Sequence, residues 1–195
     1  MNKLQGFLVL KKSGLPHVPW EKYNKDLELD KNILWTVRSA VAVGNDLNLP
    51  RRVGVSSYDA KVFAEELLIN LDKNDLVIYY PYFIALKSGV IEISENRVVI
   101  EAVNADLWNL VTDNNKDVTI IVEDDDVKVI GDENFLTQSE LLELVDYCLI
   151  AKKEFPNYIY KGKSILLEWS FACKSDISGN RVGNPSLIFY EIRSV

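Results

Sequence analysis

Two apolar segments near the C-terminus, Ile165–Phe171 and Leu187–Arg193, constrain the fold more than any other feature, because charge interrupts each at set positions. Side chains on a strand point alternately to opposite faces. Leu167, Trp169 and Phe171 then share one face, and Glu168 takes the other. In the second segment Ile188, Tyr190 and Ile192 share a face, with Glu191 and Arg193 opposite. The link between them, Lys174–Pro185, is rich in Ser, Asp, Gly and Asn, which predicts a long-looped hairpin. Where the apolar faces form one wall of a core, Glu168, Glu191 and Arg193 project together from its other side. Cβ atoms of cross-strand neighbours lie about 5 Å apart, close enough for two carboxylates to share a divalent cation. Magnesium is typically held by one or two carboxylates plus substrate phosphates. The same pattern also fits a half-exposed hairpin with a surface ion pair, since alternating strands place charges on their wet face. Spacing alone leaves both readings open.

The 195 residues suffice for one compact domain over 1–195, or for two small lobes of about 1–75 and 76–195. A net charge of −7 and a pI near 4.9 argue against duplex nucleic acid or an anionic membrane as main partner, since both need a basic surface. Cys148 and Cys173 lack metal-ligand spacing and read as buried free thiols of a reducing compartment. No apolar run is long enough to cross a bilayer and the N-terminus lacks a signal-peptide pattern, so a cytoplasmic location is expected. The single histidine, His17, sits between prolines and reads as structural. One histidine leaves no scope for several His-dependent sites, and neither zinc spacing nor a Walker loop is present.

Along the chain, 3–12 reads as a short amphipathic helix, and Ile33–Arg38 as a buried strand with Arg38 at its end. Val43–Val55, with Gly44, Asn45, Asp46, Pro50 and Gly54, has loop chemistry. Ser57 is placed to cap a helix running to about Leu71. Strands are expected at Leu76–Phe83, Gly89–Ser94, Arg97–Val103, Val118–Glu123 and Val127–Ile130, the last two flanking an acidic tip at Asp124–Asp126. Thr137 and Glu140 form a capping-box pattern for a helix to about Phe155. The expected fold class is α+β, mostly antiparallel sheet with a few packed helices.

Several of these segments, in this order, resemble the nucleotide-binding region of the phosphoenolpyruvate synthase and pyruvate phosphate dikinase family. Leu166-Leu-Glu-Trp-Ser170 is similar to that family's Asp-Ile-Glu-Trp-Ala, and Glu191-Ile-Arg193 to its Gln-Ala-Arg. Val37-Arg-Ser-Ala40 resembles its Val-Arg-Ser-Ser-Ala loop, and Leu136–Leu144 the helix start before the Glu-Trp strand. Val77-Ile-Tyr-Tyr-Pro-Tyr-Phe83 and Ser88-Gly-Val90 resemble the strand and turn lining the adenine side. Lys3, Gly14-Leu-Pro16 and Pro19 are similar to the family's opening lysine and Gly-Leu-Pro-Val-Pro segment.

The resemblance implies an ATP-grasp-like fold that binds ATP with Mg²⁺. Lys3 and Arg38 match triphosphate-contacting residues, Tyr82 falls on the adenine side, and Glu168 matches the metal-binding glutamate. Glu191 stands where a glutamine helps hold metal, and Arg193 matches the arginine after it. Arg38 and Arg193 would neutralise phosphate during phosphoryl transfer, which depends on positioning and charge compensation. Arg51 and Arg52 read either as a solvated corner or as further phosphate contacts. The acceptor would be a small molecule or a separate protein subunit. The departures are also specific. Leu166 replaces an aspartate, and Asn104-Ala-Asp-Leu-Trp-Asn109 stands where a glycine loop is expected. Nothing matches the phosphohistidine or pyruvate-binding parts. The alternative implied by these departures is a catalytically degenerate relative, acting as a regulatory or protein-interaction module.

Overall fold

The computed structural model describes residues 1–43, 49–107, 116–124, 126–160 and 162–195. Gly44, Asn45 and Asp46, Trp108 and Asn109, and Asp125, all invoked above, lie outside the described residues.

Two antiparallel sheets carry the fold. The first orders β1 (Glu21–Lys22), β4 (Leu76–Pro81), β2 (Trp35–Ala40) and β3 (Arg51–Val55). The second orders β10 (Arg181–Ser194), β9 (Ile165–Ser175), β5 (Phe83–Ile93), β6 (Arg97–Asn104), β7 (Val118–Glu123) and β8 (Asp126–Gly131). Among the described residues four helices pack on them: α1 (Lys3–Lys11), α2 (Ser57–Asn70), α3 (Gln138–Glu154) and the short α4 (Pro156–Ile159). The expected α+β class with mostly antiparallel strands is what forms.

The local signals explain most elements. Asn2 and Gln5 close a capping box on α1, and Thr137 with Glu140 does the same on α3. On α2 the cap is Ser56 rather than Ser57, its hydroxyl accepting from the Asp59 amide at 3.1 Å. All six β2 residues are buried, because α2 covers one face through Ala60, Ala64 and Leu67. α3 covers the second sheet through Leu144, Cys148 and Ala151, opposite Trp169, Phe189 and Ile192. Burial pushes the Cys148 thiol up to about 12, so it stays protonated and unreactive. A thiol-labelling assay at neutral pH is expected to modify neither buried cysteine natively and both in denaturant.

A third apolar cluster joins the sheets: Phe7 of α1 meets Ile78 and Tyr80 of β4, and Ala172 and Ile188 of β9 and β10. His17 serves this joint structurally. Its Nδ1 lies 3.0 Å from the Leu15 carbonyl, and its neighbours bond β10 through Val18 N to Phe189 O and Phe189 N to Pro16 O.

Four expectations need correction. The predicted Leu76–Phe83 strand is broken after Pro81, and Phe83 begins β5 in the other sheet. The chain therefore crosses from the first sheet to the second at Tyr82. The Val43–Val55 loop contains β3, which pairs with β2 through Arg38–Arg51 and Val37–Arg52. The C-terminal hairpin loop is short, because pairing reaches Ser175 and Arg181 and the Asp176 carboxylate closes the turn by accepting from Ser178 and Asn180 amides. Finally, β10 does not alternate throughout. A bulge at Tyr190 shifts the register from Phe189–Trp169 to Glu191–Glu168. Ile192 therefore joins Phe189 in the helix-covered core, while Ile188 faces the other sheet. Among the described residues no helix is long and apolar enough to cross a membrane.

Candidate functional site

A cleft of about 130 Å³ opens where the two sheets face each other. The first sheet contributes Arg38 from β2, Arg51 from β3 and Tyr80 from β4; the second contributes Ser88, Glu168 and Tyr190. Tyr82, at the crossing between sheets, lines it too, with its ring against Gly54, whose φ of +67° suits glycine.

Arg38 is the central cation. It is 7 % exposed, its guanidinium lies over the Phe7 ring at 5.1 Å, and it hydrogen-bonds Tyr80. Its Nε is buried and has no hydrogen-bond partner among the described residues. An unmet buried donor on a charged group is costly. Arg51 stands directly opposite Arg38 in the β2–β3 register, and Glu168 and Asp106 line the same cleft. Both arginines, with their charges aimed at one small cleft, suit phosphate.

Behind Arg38 lies an ion cluster. Glu191, at 2 % exposure, has Oε2 at 3.9 Å from both Arg38 Nη2 and Lys3 Nζ. Arg193 Nε is 2.9 Å from Glu191 Oε1, close in distance but out of line for a hydrogen bond. Arg193 Nη2 donates to Glu168 Oε1 at 2.5 Å. Burial and the neighbouring Glu168 push the Glu191 carboxyl above its usual range, against the pull of Arg193, Lys3 and Arg38.

The floor is polar. Ser88 Oγ donates to the Ala105 carbonyl at 2.6 Å and lies 2.7 Å from Ser170 Oγ, which also hydrogen-bonds Tyr190. This chain fixes the start of the loop bearing Asp106. Burial and Asp106 push the Tyr82 phenol up. Ala105 has φ +59°, a conformation glycine adopts freely and alanine does not. Ala105→Gly is expected to raise unfolding free energy by about 0.5–1 kcal/mol, by relieving that strain. A denaturant titration showing a loss instead would show the residue to be unstrained.

Of the residues expected from sequence, Arg38, Tyr82 and Glu168 line the cleft, while Lys3, Glu191 and Arg193 form the cluster beside it. Lys3 is held in α1, its side chain only 14 % exposed. Arg52 points away, over Phe63 at 4.8 Å. Ser88, expected on the adenine side through the Ser-Gly-Val pattern, lines the cleft, whereas Ser170, Asp106 and Tyr190 were missed. Ser170 had a visible signal, a small polar residue inside an apolar strand; Tyr190 was hidden by the bulge.

The divalent cation implied by the resemblance fits these residues poorly. Arg193 spans the near oxygens of both carboxylates, and Leu166 stands opposite Arg193 where an acid would add a third ligand. Among the described residues no group of three or more His, Cys, Asp or Glu is placed to hold a metal.

No protein-family model matches the chain, and no curated protein matches it. Among solved structures it is similar to an N5-carboxyaminoimidazole synthase from Aspergillus clavatus in complex with ADP and 5-aminoimidazole ribonucleotide. That match has a TM-score of 0.52 at 12 % identity, and covers 98 % of this chain and 43 % of the synthase. It is also similar to an L-amino acid ligase from Bacillus licheniformis, with a TM-score of 0.50 at 14 % identity, covering 98 % of this chain and 39 % of the ligase. The chain thus spans about two-fifths of each. Both neighbours are ATP-grasp structures, which supports the general fold and leaves the dikinase family itself unsupported. The chain has an α+β, ATP-grasp-like fold with its cleft between the two sheets.

Proposed function

We propose that this chain is a single ATP-grasp-like domain that binds an adenine nucleotide in the cleft between its two sheets. The phosphates lie against Arg38 and Arg51, and the base lies beside Tyr82. The observation carrying this reading is Arg38: a buried guanidinium with an unmet Nε, set opposite a second arginine in a chain of net charge −7. Arg38 and Arg51 share this cleft with Glu168 and Asp106, and two neighbouring arginines on one wall of an acidic protein give a local positive field that attracts an anionic ligand. The ADP in the fungal synthase supports the nucleotide class. The enclosed space is smaller than the roughly 300 Å³ of a typical ligand pocket. It suits the phosphates, and the rest of the nucleotide extends through the mouth.

The reaction the resemblance implies is ATP-dependent phosphoryl transfer. Arg38 would hold the phosphates in place and Arg193 would add positive charge from the side. The acceptor would bind outside this chain's described residues or on another subunit. A second reading, a regulatory or interaction module without turnover, is favoured by Leu166 in place of an acid and by Ala105 in place of a loop glycine.

Calorimetric titration of the full chain with ATP and with ADP, in magnesium and in EDTA, tests nucleotide binding. Heat saturating with one site per chain is expected. Silence for both nucleotides in both buffers would overturn the reading. Phosphate release from ATP by the same preparation separates the transferase from the module.

A further inference from the structure

We infer that Arg193 takes the place of a divalent cation in this site, so that the cleft takes a metal-free nucleoside di- or triphosphate; the inference rests on the nucleotide reading above.

Glu168 and Glu191 are direct cross-strand partners, the placement in which two carboxylates share a cation. The cation already shared is a guanidinium. Arg193 puts Nη2 at 2.5 Å from Glu168 Oε1 and Nε at 2.9 Å from Glu191 Oε1. Its planar fork spans the two acids as a fixed positive charge. Magnesium needs oxygen ligands at about 2.0–2.1 Å in near-octahedral order. To sit between these carboxylates it would have to expel Arg193 from both.

Access and charge point the same way. Glu191 is 2 % exposed and does not line the cleft, so of the two paired acids a metal entering from the cleft meets only Glu168, with Asp106 the other acid on the cleft wall. The far oxygen of Glu191 is covered by Lys3 and Arg38, each at 3.9 Å, and both would repel a divalent ion. Three cations, Lys3, Arg38 and Arg193, against two acids, Glu168 and Glu191, leave the cluster at +1 before any metal enters. In the cleft wall Arg51 is offset by Asp106, so the balance stays at +1. Such a cluster faces phosphate with positive charge of its own, and that same charge disfavours entry of a free divalent ion. Leu166 completes the case. It is the cross-strand partner of Arg193, and an apolar side chain there neither competes for the guanidinium nor offers the metal an oxygen.

The test compares ATP and ADP titrations of the full chain in EDTA and in magnesium, with Arg193→Gln alongside. Wild type is expected to bind at least as tightly in EDTA as in magnesium. Arg193→Gln is expected to lose binding in EDTA, because the guanidinium that takes the cation's place is gone. Binding of wild type only in magnesium would overturn the inference while leaving the nucleotide reading intact. So would an Arg193→Gln protein that binds in EDTA as wild type does. No heat in either buffer would overturn the nucleotide reading and this inference with it. Electron paramagnetic resonance of Mn²⁺ added without nucleotide gives an independent readout. Wild type should leave Mn²⁺ free, and ordered Mn²⁺ that Glu168→Gln removes would overturn the proposal.

Discussion

Gly89→Ala is expected to cost about 4 kcal/mol of stability or more, among the largest effects of any single substitution. A Cβ on Gly89 would lie 2.0 Å from the Glu101 carbonyl oxygen and 2.5 Å from Cζ2 of Trp169. Neither neighbour can yield. The carbonyl belongs to the paired β6 strand, and Trp169 is fully buried. Overpacking a core typically costs about 1–3 kcal/mol when side chains can shift; here a backbone atom blocks the way. For a chain of this length, that corresponds to a melting point lower by roughly 10 °C. Thermal and denaturant unfolding followed by circular dichroism would show it, and a midpoint matching wild type would disprove the close packing. The consequence reaches the site, because Gly89 makes room for the indole of its cross-strand partner Trp169 while the neighbouring Glu168 lines the cleft. The Ser-Gly-Val and Glu-Trp patterns in the sequence are thus two sides of one contact.

Arg38→Ala is expected to weaken nucleotide binding about 100-fold, the equivalent of losing one or two charge-assisted hydrogen bonds. Arg38→Lys should recover only part of this, since an ammonium keeps the charge but not the planar fork. The fold should survive both changes, because Lys3 and Arg193 still face Glu191. Some stability will be lost with the Phe7 stacking and the Tyr80 hydrogen bond. Calorimetry on variants whose unfolding curves remain cooperative separates the two effects. An unchanged dissociation constant in a folded Arg38→Ala protein would remove Arg38 from the site, and with it the observation on which the nucleotide reading stands.

The capping box at Thr137–Glu140, the apolar β2 run and the two free cysteines could be read directly from the chain. Each depends on residues a few positions apart, where local hydrogen bonding and side-chain periodicity decide the outcome. The gathering of Glu168, Glu191 and Arg193 was legible too, although by a different route than simple alternation. The bulge at Tyr190 was not legible. It exists because β10 must pair with β9 while keeping Phe189 and Ile192 in one core, a constraint set by residues far along the chain. Arg51 likewise reads as a loop corner until β2 supplies its partner.

The sequence by itself determined most of the helices and strands, though not β3 or the break after Pro81, and which charges are available, because those follow from local pattern. Only the tertiary structure decided that Arg38 and Arg51 share one cleft and that Arg193 lies between the two carboxylates. Strand register and the meeting of two sheets are non-local, and a one-residue shift turns a side chain to the opposite face.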